Sequence, residues 1–310
     1  MHKRKKNRIV TNEKKQNLGV QFLYGTKIGN KILQWILNSN VDVCFVAFLK
    51  SCLSKPLIPL YIRKHTISMR EFQGQTYRSF AEFFVRKRED ICVDMQPQHL
   101  ISPCDGWLSG YPIENDSSFS IKGFRYRLKD LMQKKELEEE FQGGTCLIFR
   151  LCASDYHHYC YIDDGFQGKH HYIAGELHSV QPTCCEKYPI YTLNRRTWSI
   201  METQHFGKVI QIEIGALVVG GIVNDYNHVP VKRGMEKGHF ELSGSTIVML
   251  FQKNQIELLQ EIKEHLSKGK EYAVKQGMWI GNGIGQIRDE IISQENDELE
   301  NKKEKGNEKN

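Results

Sequence analysis

Short apolar segments separated by glycines fill the middle of the chain, from about residue 100 to 250. Segments such as Thr145–Leu151, Ile190–Leu193 and 209–214 are shorter than ordinary helices and have the apolar alternation of strands. The glycine pairs near them favour tight connections. With 40% hydrophobic residues in 310, the pattern predicts a globular, β-rich core of two sheets.

Helical patterns accompany this core. Residues 1–90 have a helical and basic pattern, and residues 128–141 favour a surface helix. The expected fold class is therefore α+β, with an N-terminal helical section followed by a β-rich core. We expect three parts: a helical section of 1–90, a core of 91–287 and a disordered charged tail of 288–310.

Positive charge is concentrated near the N-terminus. Residues 1–70 hold 14 Lys and Arg residues but only two acidic residues, Glu13 and Asp42. Such a section is typical of proteins that contact nucleic acid or an anionic membrane, and also of solvated basic tails. Because no recognisable nucleic-acid module accompanies it, we predict no nucleic-acid partner.

The most apolar stretch, residues 41–62, is interrupted by Lys50, Lys55, Pro56 and Pro59, so it does not predict a spanning helix. Apolar residues interleaved with lysines in this region favour an amphipathic section that lies on an anionic membrane surface. A helical subdomain packed on the core explains the same pattern equally well, and both interpretations stay open.

The nine cysteines show no regular spacing and no CxxC pair. This odd number suits reduced thiols in a cytosolic setting and indicates neither a disulfide framework nor a zinc site. Residues 9–18 are polar where a secretory signal would be apolar, so no signal peptide is predicted.

Three polar clusters interrupt the apolar core and are the best candidates for a site. They are Ser-Pro-Cys-Asp-Gly at 102–106, Asp-Tyr-His-His-Tyr-Cys-Tyr at 155–161 and the segment 239–245, which ends in Ser-Gly-Ser before an apolar strand. Each has a structural explanation: an Asx turn at Asp105, buried structural histidines, and a tight turn into a strand. Together, an Asp, a His and a Ser form a nucleophile, base and orienter set.

Gly244 followed by Ser245 adds a specific chemistry. Glycine has no Cβ, so the Ser245 hydroxyl can closely approach the carbonyl of Gly244. A serine that attacks its own preceding peptide bond converts an amide to an ester. Elimination of the ester leaves a dehydroalanine, which hydrolyses to a ketone at a new N-terminus.

In this order, the three clusters resemble the phosphatidylserine decarboxylase family of pyruvoyl enzymes. The similar segments include 79–88, 206–222 and 231–246, and the resemblance extends from about residue 22 to 285. It implies a proenzyme that cuts itself between Gly244 and Ser245. The products would be a β chain of 1–244 and an α chain of 245–310 headed by a covalent pyruvoyl group made from Ser245, and the two would form a heterodimer.

The resemblance also assigns roles within this sequence. Asp105 would orient a histidine base, His157 would be the base and the acid that protonates carbon, and Ser245 would be the nucleophile. The family often has a second histidine where this chain has Cys160, and His158 stands where an arginine is usual. His158, Cys160 and His178 therefore stay open as alternative bases.

The expected reaction converts phosphatidylserine to phosphatidylethanolamine and CO₂ through a Schiff base with the pyruvoyl group. The expected location is the cytoplasmic side of the cell membrane, where the protein is peripheral and its basic helical section contacts anionic lipid. A homodimer stays open. Two alternatives remain: a decarboxylase of the same family acting on a soluble amino acid, and an uncleaved lipid-binding protein without activity.

Overall fold

The structure is a computed structural model that describes residues 22–23, 25–29, 31, 41–121, 123–180, 182–216, 221–242 and 245–284. The predicted charged tail of 288–310, most of the basic residues before residue 41, and Gly244 lie outside the described residues.

A nine-stranded sheet forms the centre of the fold, and every pairing within it is antiparallel. Its strands are β2 (Gly106–Pro112), β5 (Thr145–Leu151), β7 (Gly165–Gln167), β8 (His171–Ile173), β9 (Arg196–Thr203), β10 (Lys208–Ile214), β12 (Val229–Val231), β14 (Ser245–Phe251) and β16 (Tyr272–Val274). The order is β12-β7-β9-β10-β14-β5-β2-β16, and β8 pairs with β9. The strands predicted at 145–151 and 209–214 are confirmed.

Three smaller sheets complete the described β structure. They are β1-β17-β15 (His99–Ile101, Trp279–Gly283, Ile256–Leu258), β11-β13-β6 (Gly221–Asn224, Glu236–Glu241, His158–Cys160) and the hairpin β3-β4 (Ser118–Ile121, Phe124–Arg127). The expectation of two sheets is therefore wrong, because the described residues form four. Local alternation indicates strands but does not identify their partners.

Two apolar cores cover the two faces of the nine-stranded sheet. Along β14, Ile247 and Met249 belong to one core and Val248 and Leu250 to the other. Since successive side chains of a strand point to opposite faces, a strand buried on both faces is apolar at nearly every position. All seven residues of β14 are buried, so Ser245 begins a central strand of the protein interior.

The described helices are short. They are α1 (Val41–Lys50), α2 (Leu57–His65), α3 (Phe80–Phe84), α4 (Leu128–Met132), α5 (Pro182–Cys185), α6 (Ile190–Leu193) and α7 (Gln260–Ser267), with 3₁₀ turns at Cys52–Ser54, Arg70–Phe72 and Glu139–Phe141. A third apolar cluster joins Leu49, Ile58, Phe84 and neighbouring side chains of α1 to α3. The helical prediction for the N-terminal section is confirmed for these residues. Among the described helices, none is long and apolar enough to cross a membrane.

Two local predictions are wrong. Ile190–Leu193 is a helical turn, in which the N–H of Asn194 donates to the oxygen of Ile190. Its N-cap residue is Pro189, and four apolar residues are too few for the sequence pattern to separate a strand from a helical turn. The helix predicted at 128–141 ends at Met132, because Gln133 adopts the left-handed conformation with φ of 55°.

Candidate active site

The three polar clusters meet at one end of the nine-stranded sheet. In the sheet, Arg150 of β5 pairs with Trp107 of β2 on one side and with Thr246 of β14 on the other. Adjacent strands lie about 4.8 Å apart, so the start of β2 and the start of β14 are separated by roughly 10 Å. Asp105 precedes β2 and Ser245 begins β14, and both therefore lie at this end.

Backbone pairing also joins the clusters directly. Cys104 and Tyr159 form an isolated antiparallel bridge, and the N–H of Cys160 donates to the oxygen of Pro103 over 2.8 Å. His158 pairs with His239 in the ladder between β6 and β13. The structure thus brings the predicted clusters together in one contiguous region, although they are far apart along the chain.

Ser245 is a buried hydroxyl without a hydrogen-bond partner in the described part of the chain. Its Cα pairs with that of Leu151, and it lies on the same face of β14 as Ile247 and Met249, because alternate residues of a strand share a face. A buried hydroxyl without a partner costs about 1 to 3 kcal/mol, so such a group needs an explanation, and a catalytic role is one. The Oγ1 of Thr246, on the opposite face, is also buried without a partner among the described residues.

His157 is fully buried, and its ring contacts that of Phe84 at 4.3 Å between centroids. Its Nδ1 lies 2.9 Å from the backbone oxygen of Asp155. A carbonyl oxygen only accepts, so Nδ1 carries the proton and Nε2 keeps its lone pair. Nε2 is buried and has no partner among the described residues. Burial, with a smaller contribution from the charge of Arg86, lowers the pKa of His157 to about 3, so the ring is neutral at physiological pH.

Asp105 is buried and held by cations. Arg88 donates to its two carboxylate oxygens over 3.0 and 2.8 Å, Lys275 donates over 2.6 Å and the N–H of Gln276 over 3.0 Å. Burial alone would raise the pKa of this carboxyl, but the hydrogen bonds from Arg88 and the charge of Lys275 hold it below its usual range. Since the two ring nitrogens of His157 do not contact Asp105, the orienting role of Asp105 stays a prediction.

Two of the alternative bases are already engaged. His158 has Nδ1 2.6 Å from Oε1 of Glu236 and Nε2 2.9 Å from the backbone oxygen of Val85. Both nitrogens thus face acceptors, which leaves no lone pair free to take up a proton. Burial raises the pKa of Cys160 to about 11, so this thiol stays protonated near neutral pH and is a poor base.

His178 lies at the same end of the sheet as Ser245. Asn194 donates to the backbone oxygens of His178 and Gly215, each over 2.7 Å, and Gly215 directly follows the end of β10. The Nε2 of His178 lies 2.5 Å from a carboxylate oxygen of Glu176. This contact orients the ring, and His178 stays open as an alternative base.

Several polar residues of this region were missed by the sequence analysis. Arg88 and Lys275 neutralise Asp105 but lie 17 and 170 residues from it along the chain. Lys237 and Glu213 form a fully buried ion pair at 2.6 Å. Glu213 pairs with Ile247 across the sheet, and a charged residue within an apolar strand was the available signal.

The neutral imidazole of His157 and the hydroxyl of Ser245, which is buried without a partner among the described residues, are groups of the kind that enzymes with an activated nucleophile use. The family described as "Phosphatidylserine decarboxylase" matches residues 80–282 of this chain. The chain belongs to the phosphatidylserine decarboxylase family, as its segments 102–106, 155–161 and 239–246 predicted.

Curated relatives match over most of their length. The chain is 39% identical over 271 residues to phosphatidylserine decarboxylase proenzyme 2 of Clostridium acetobutylicum, a match covering 86% of this chain and 92% of the relative. It is 34% identical to the phosphatidylserine decarboxylase proenzyme of Desulfitobacterium hafniense, covering 84% and 91%. It is also 31% identical to that of Clostridium botulinum, covering 90% and 98%.

Proposed function

We propose that this chain is a carboxy-lyase that converts phosphatidylserine to phosphatidylethanolamine and CO₂. Relatives named phosphatidylserine decarboxylase proenzyme match over more than nine tenths of their length, which supports this reaction. The observation that most supports the proposed active site is the Ser245 hydroxyl. It is buried at the start of a central strand and has no partner among the described residues. The soluble amino-acid substrate and the silent lipid-binding protein are the outcomes that would contradict the proposal.

The word proenzyme in those names fits a chain that is processed, and we place the processing at the bond between Gly244 and Ser245. The Ser245 oxygen attacks the Gly244 carbonyl carbon, the C–N bond breaks, and an ester replaces the amide. Loss of the α-proton of Ser245 then eliminates the Gly244 carboxylate and leaves a dehydroalanine. Water adds, ammonia leaves, and residues 1–244 and 245–310 become separate chains.

His157 is the base in this proposal. Its Nε2 has a lone pair and no partner among the described residues, so it can accept the Ser245 proton. General-base catalysis of this kind contributes about 10² to 10⁴-fold. Once Nε2 is protonated, the same atom can deliver a proton to carbon during decarboxylation.

The surroundings of Ser245 fit a pyruvoyl group. The ketone carbon of a pyruvoyl group on residue 245 would be the present Cα of Ser245 and its methyl carbon the present Cβ, both at the buried start of β14. When formed, this group supplies a carbonyl that takes up the electron pair released as CO₂ leaves the substrate.

The helical section provides the proposed membrane contact. Val43, Leu53 and Leu60 are 61%, 73% and 66% exposed, and lysines 50 and 55 lie in the same section. Exposed apolar side chains among cations favour an anionic bilayer surface, which would place the protein on the cytoplasmic side of the membrane. Leu242, three residues before Ser245, belongs to the apolar cluster of this section, so a lipid held there would lie near the site.

Denaturing mass spectrometry of the purified chain, combined with an assay on phosphatidylserine vesicles, tests the proposal. We expect two masses that meet at the 244/245 bond, a blocked N-terminus on the smaller chain, and release of CO₂ from the vesicles. Two chains that release CO₂ only from a soluble amino acid would contradict the substrate. A single intact mass without CO₂ release would contradict the enzyme.

A further inference from the structure

Three side chains next to the candidate active site form a separate group. His158 lies on β6, and Glu236 and His239 lie on the adjacent strand β13. One nitrogen or oxygen atom from each lies within 4.8 Å of the others. None of the three was assigned a role in the proposed reaction.

A bulge brings the group together. In the antiparallel ladder His239 pairs with His158 and Glu236 with Cys160, but the register shifts between Glu236 and Gly238. Without this shift, residues three apart on a strand would point to opposite faces. The extra residue, Lys237, places Glu236 on the same face as both histidines, and bulges of this kind often serve to redirect a side chain.

The chemistry of the group matches a metal ion. Two imidazoles and one carboxylate are a ligand set that binds Zn²⁺ and leaves a fourth position for water. The Nε2 of His158 lies 2.9 Å from the backbone oxygen of Val85, which leaves Nδ1 as the atom facing Glu236 at 2.6 Å. A histidine ligand usually donates its other N–H to a carbonyl in this way, and the contact fixes the ring.

We propose that His158, Glu236 and His239 bind a divalent transition-metal ion of the zinc type. The ion replaces the proton between Nδ1 of His158 and the carboxylate of Glu236. The ring of His239 now stacks on that of His158 at 4.9 Å, so it must turn to direct a nitrogen at the ion. It is only partly buried, and its nitrogens make no hydrogen bond within the described part of the chain, so the rotation breaks none there.

The remaining neighbours allow this arrangement. Tyr156 stacks on the ring of His158 at 4.8 Å and helps to hold it in place. Lys87 contacts the second carboxylate oxygen of Glu236 at 3.3 Å, but its side chain is 67% exposed and can turn to solvent. The ion would fasten β6 to β13, the strand that leads to the 244/245 bond. All three ligands lie before this bond, so the site exists in the intact and in the cleaved protein.

Cobalt(II) titration of the purified protein tests the proposal, with no polyhistidine tag and after treatment with a chelator. Exposed cysteines are first alkylated, because Cys44, Cys52 and Cys92 could bind cobalt. We expect one equivalent to bind with visible d–d bands and without a sulfur-to-cobalt charge-transfer band, and zinc to displace it. His239→Ala and Glu236→Gln should each weaken binding at least about tenfold, since even outer-shell partners are worth 10 to 100-fold.

His265→Ala is the matched control, because His265 is also partly buried but lies on α7, outside the group. It should bind cobalt like the unchanged protein. Zinc should raise the melting temperature of the unchanged protein and of this control, but not of the two ligand variants, since a ligand that binds only the folded state stabilises it. Unchanged binding in His239→Ala and Glu236→Gln, no saturable binding, or a sulfur charge-transfer band would overturn the proposal.

Discussion

The Nδ1 of His157 lies 2.9 Å from the backbone oxygen of Asp155, and this contact fixes the ring as a proton acceptor at Nε2. Replacing His157 by alanine should lower decarboxylase activity by at least about 100-fold, the usual contribution of a general acid or base. His265→Ala, on α7 and outside the candidate active site, should keep full activity. Steady-state CO₂ release from vesicles gives both values.

The same comparison distinguishes the alternative bases in self-cleavage. We expect His157→Ala to slow the appearance of the two chains, because it removes the acceptor for the Ser245 proton. Cys160→Ser should cleave at nearly the normal rate. The Cys160 thiol has a pKa of about 11, so it is protonated near neutral pH and does not act as the base that serine would fail to replace. Gel analysis during expression measures both rates. Normal cleavage in His157→Ala together with arrest in His178→Ala would assign the base to His178.

Ser245→Ala should produce one intact chain without activity, since alanine has no nucleophilic oxygen. Ser267→Ala is the control, because Ser267 is exposed on α7 and its hydroxyl donates only to the backbone oxygen of Glu264. Intact mass distinguishes the two results. Cleaved protein recovered from Ser245→Ala would rule out the proposed bond.

Asp105→Asn should destabilise the fold by up to about 3 kcal/mol, because it removes the buried carboxylate from Arg88 and leaves it only the exposed Glu71, at 2.6 Å. We take the low end of the usual range since Lys275 is 66% exposed and can reach water. Urea unfolding measures this change in the free energy of unfolding. Asp90→Asn, at an exposed carboxyl, should change it little.

The effect of Asp105 should also depend on pH in a defined direction. The folded pKa is lowered, so the stabilisation is complete above the pKa of an unfolded aspartate, about 4, and is lost as pH falls through the folded value. The stability difference between the unchanged protein and Asp105→Asn should therefore be constant near neutral pH and shrink in acid. A difference that grows in acid would contradict the assignment.

Lys237→Met should be strongly destabilising, by about 3 to 5 kcal/mol, because it leaves the buried Glu213 carboxylate without its partner. Adding Glu213→Leu should restore much of this loss, since removing both charges removes the desolvation cost. A double-mutant cycle by urea unfolding measures the coupling. Additive effects of the two changes would show that the pair is not coupled.

Leu60→Asp should weaken binding to anionic vesicles at least about tenfold, because a buried leucine contributes about 1.5 to 3 kcal/mol. Met95→Asp is a matched control: Met95 is 65% exposed, as Leu60 is at 66%, but lies outside the helical section. Co-sedimentation with vesicles measures both. Equal losses in the two variants would remove the helical section as the membrane contact.

Local sequence determined part of this architecture well. Thr145–Leu151 could be predicted because it is a short, largely apolar run that contains β-branched and aromatic residues, as strands buried on both faces do. Ile190–Leu193 has the same apolar character, but it follows a proline and is too short for periodicity to separate a strand from a helical turn. Pairing in the sheets depends on contacts between distant segments, which is why four sheets formed where two were expected.

The candidate site shows the same division. Asp105, His157 and Ser245 could be named from local motifs, and the structure brings their segments to one sheet end. The cations around Asp105 could not be named from local motifs, because Lys275 lies 170 residues away along the chain. The group of His158, Glu236 and His239 depends on a bulge at Lys237, and no residue pattern in that strand predicts this bulge.

Strand β14 pairs with β10 on one side and with β5 on the other along its whole length. Cutting the chain just before Ser245 would leave these two ladders intact, with the smaller piece interlocked in the middle of the larger one. The two pieces would then stay together because their strands paired while the chain was still intact, and not because two separate chains associate. Separately made halves should therefore fail to reconstitute the protein, whereas a chain cut after folding should survive dilution without falling apart.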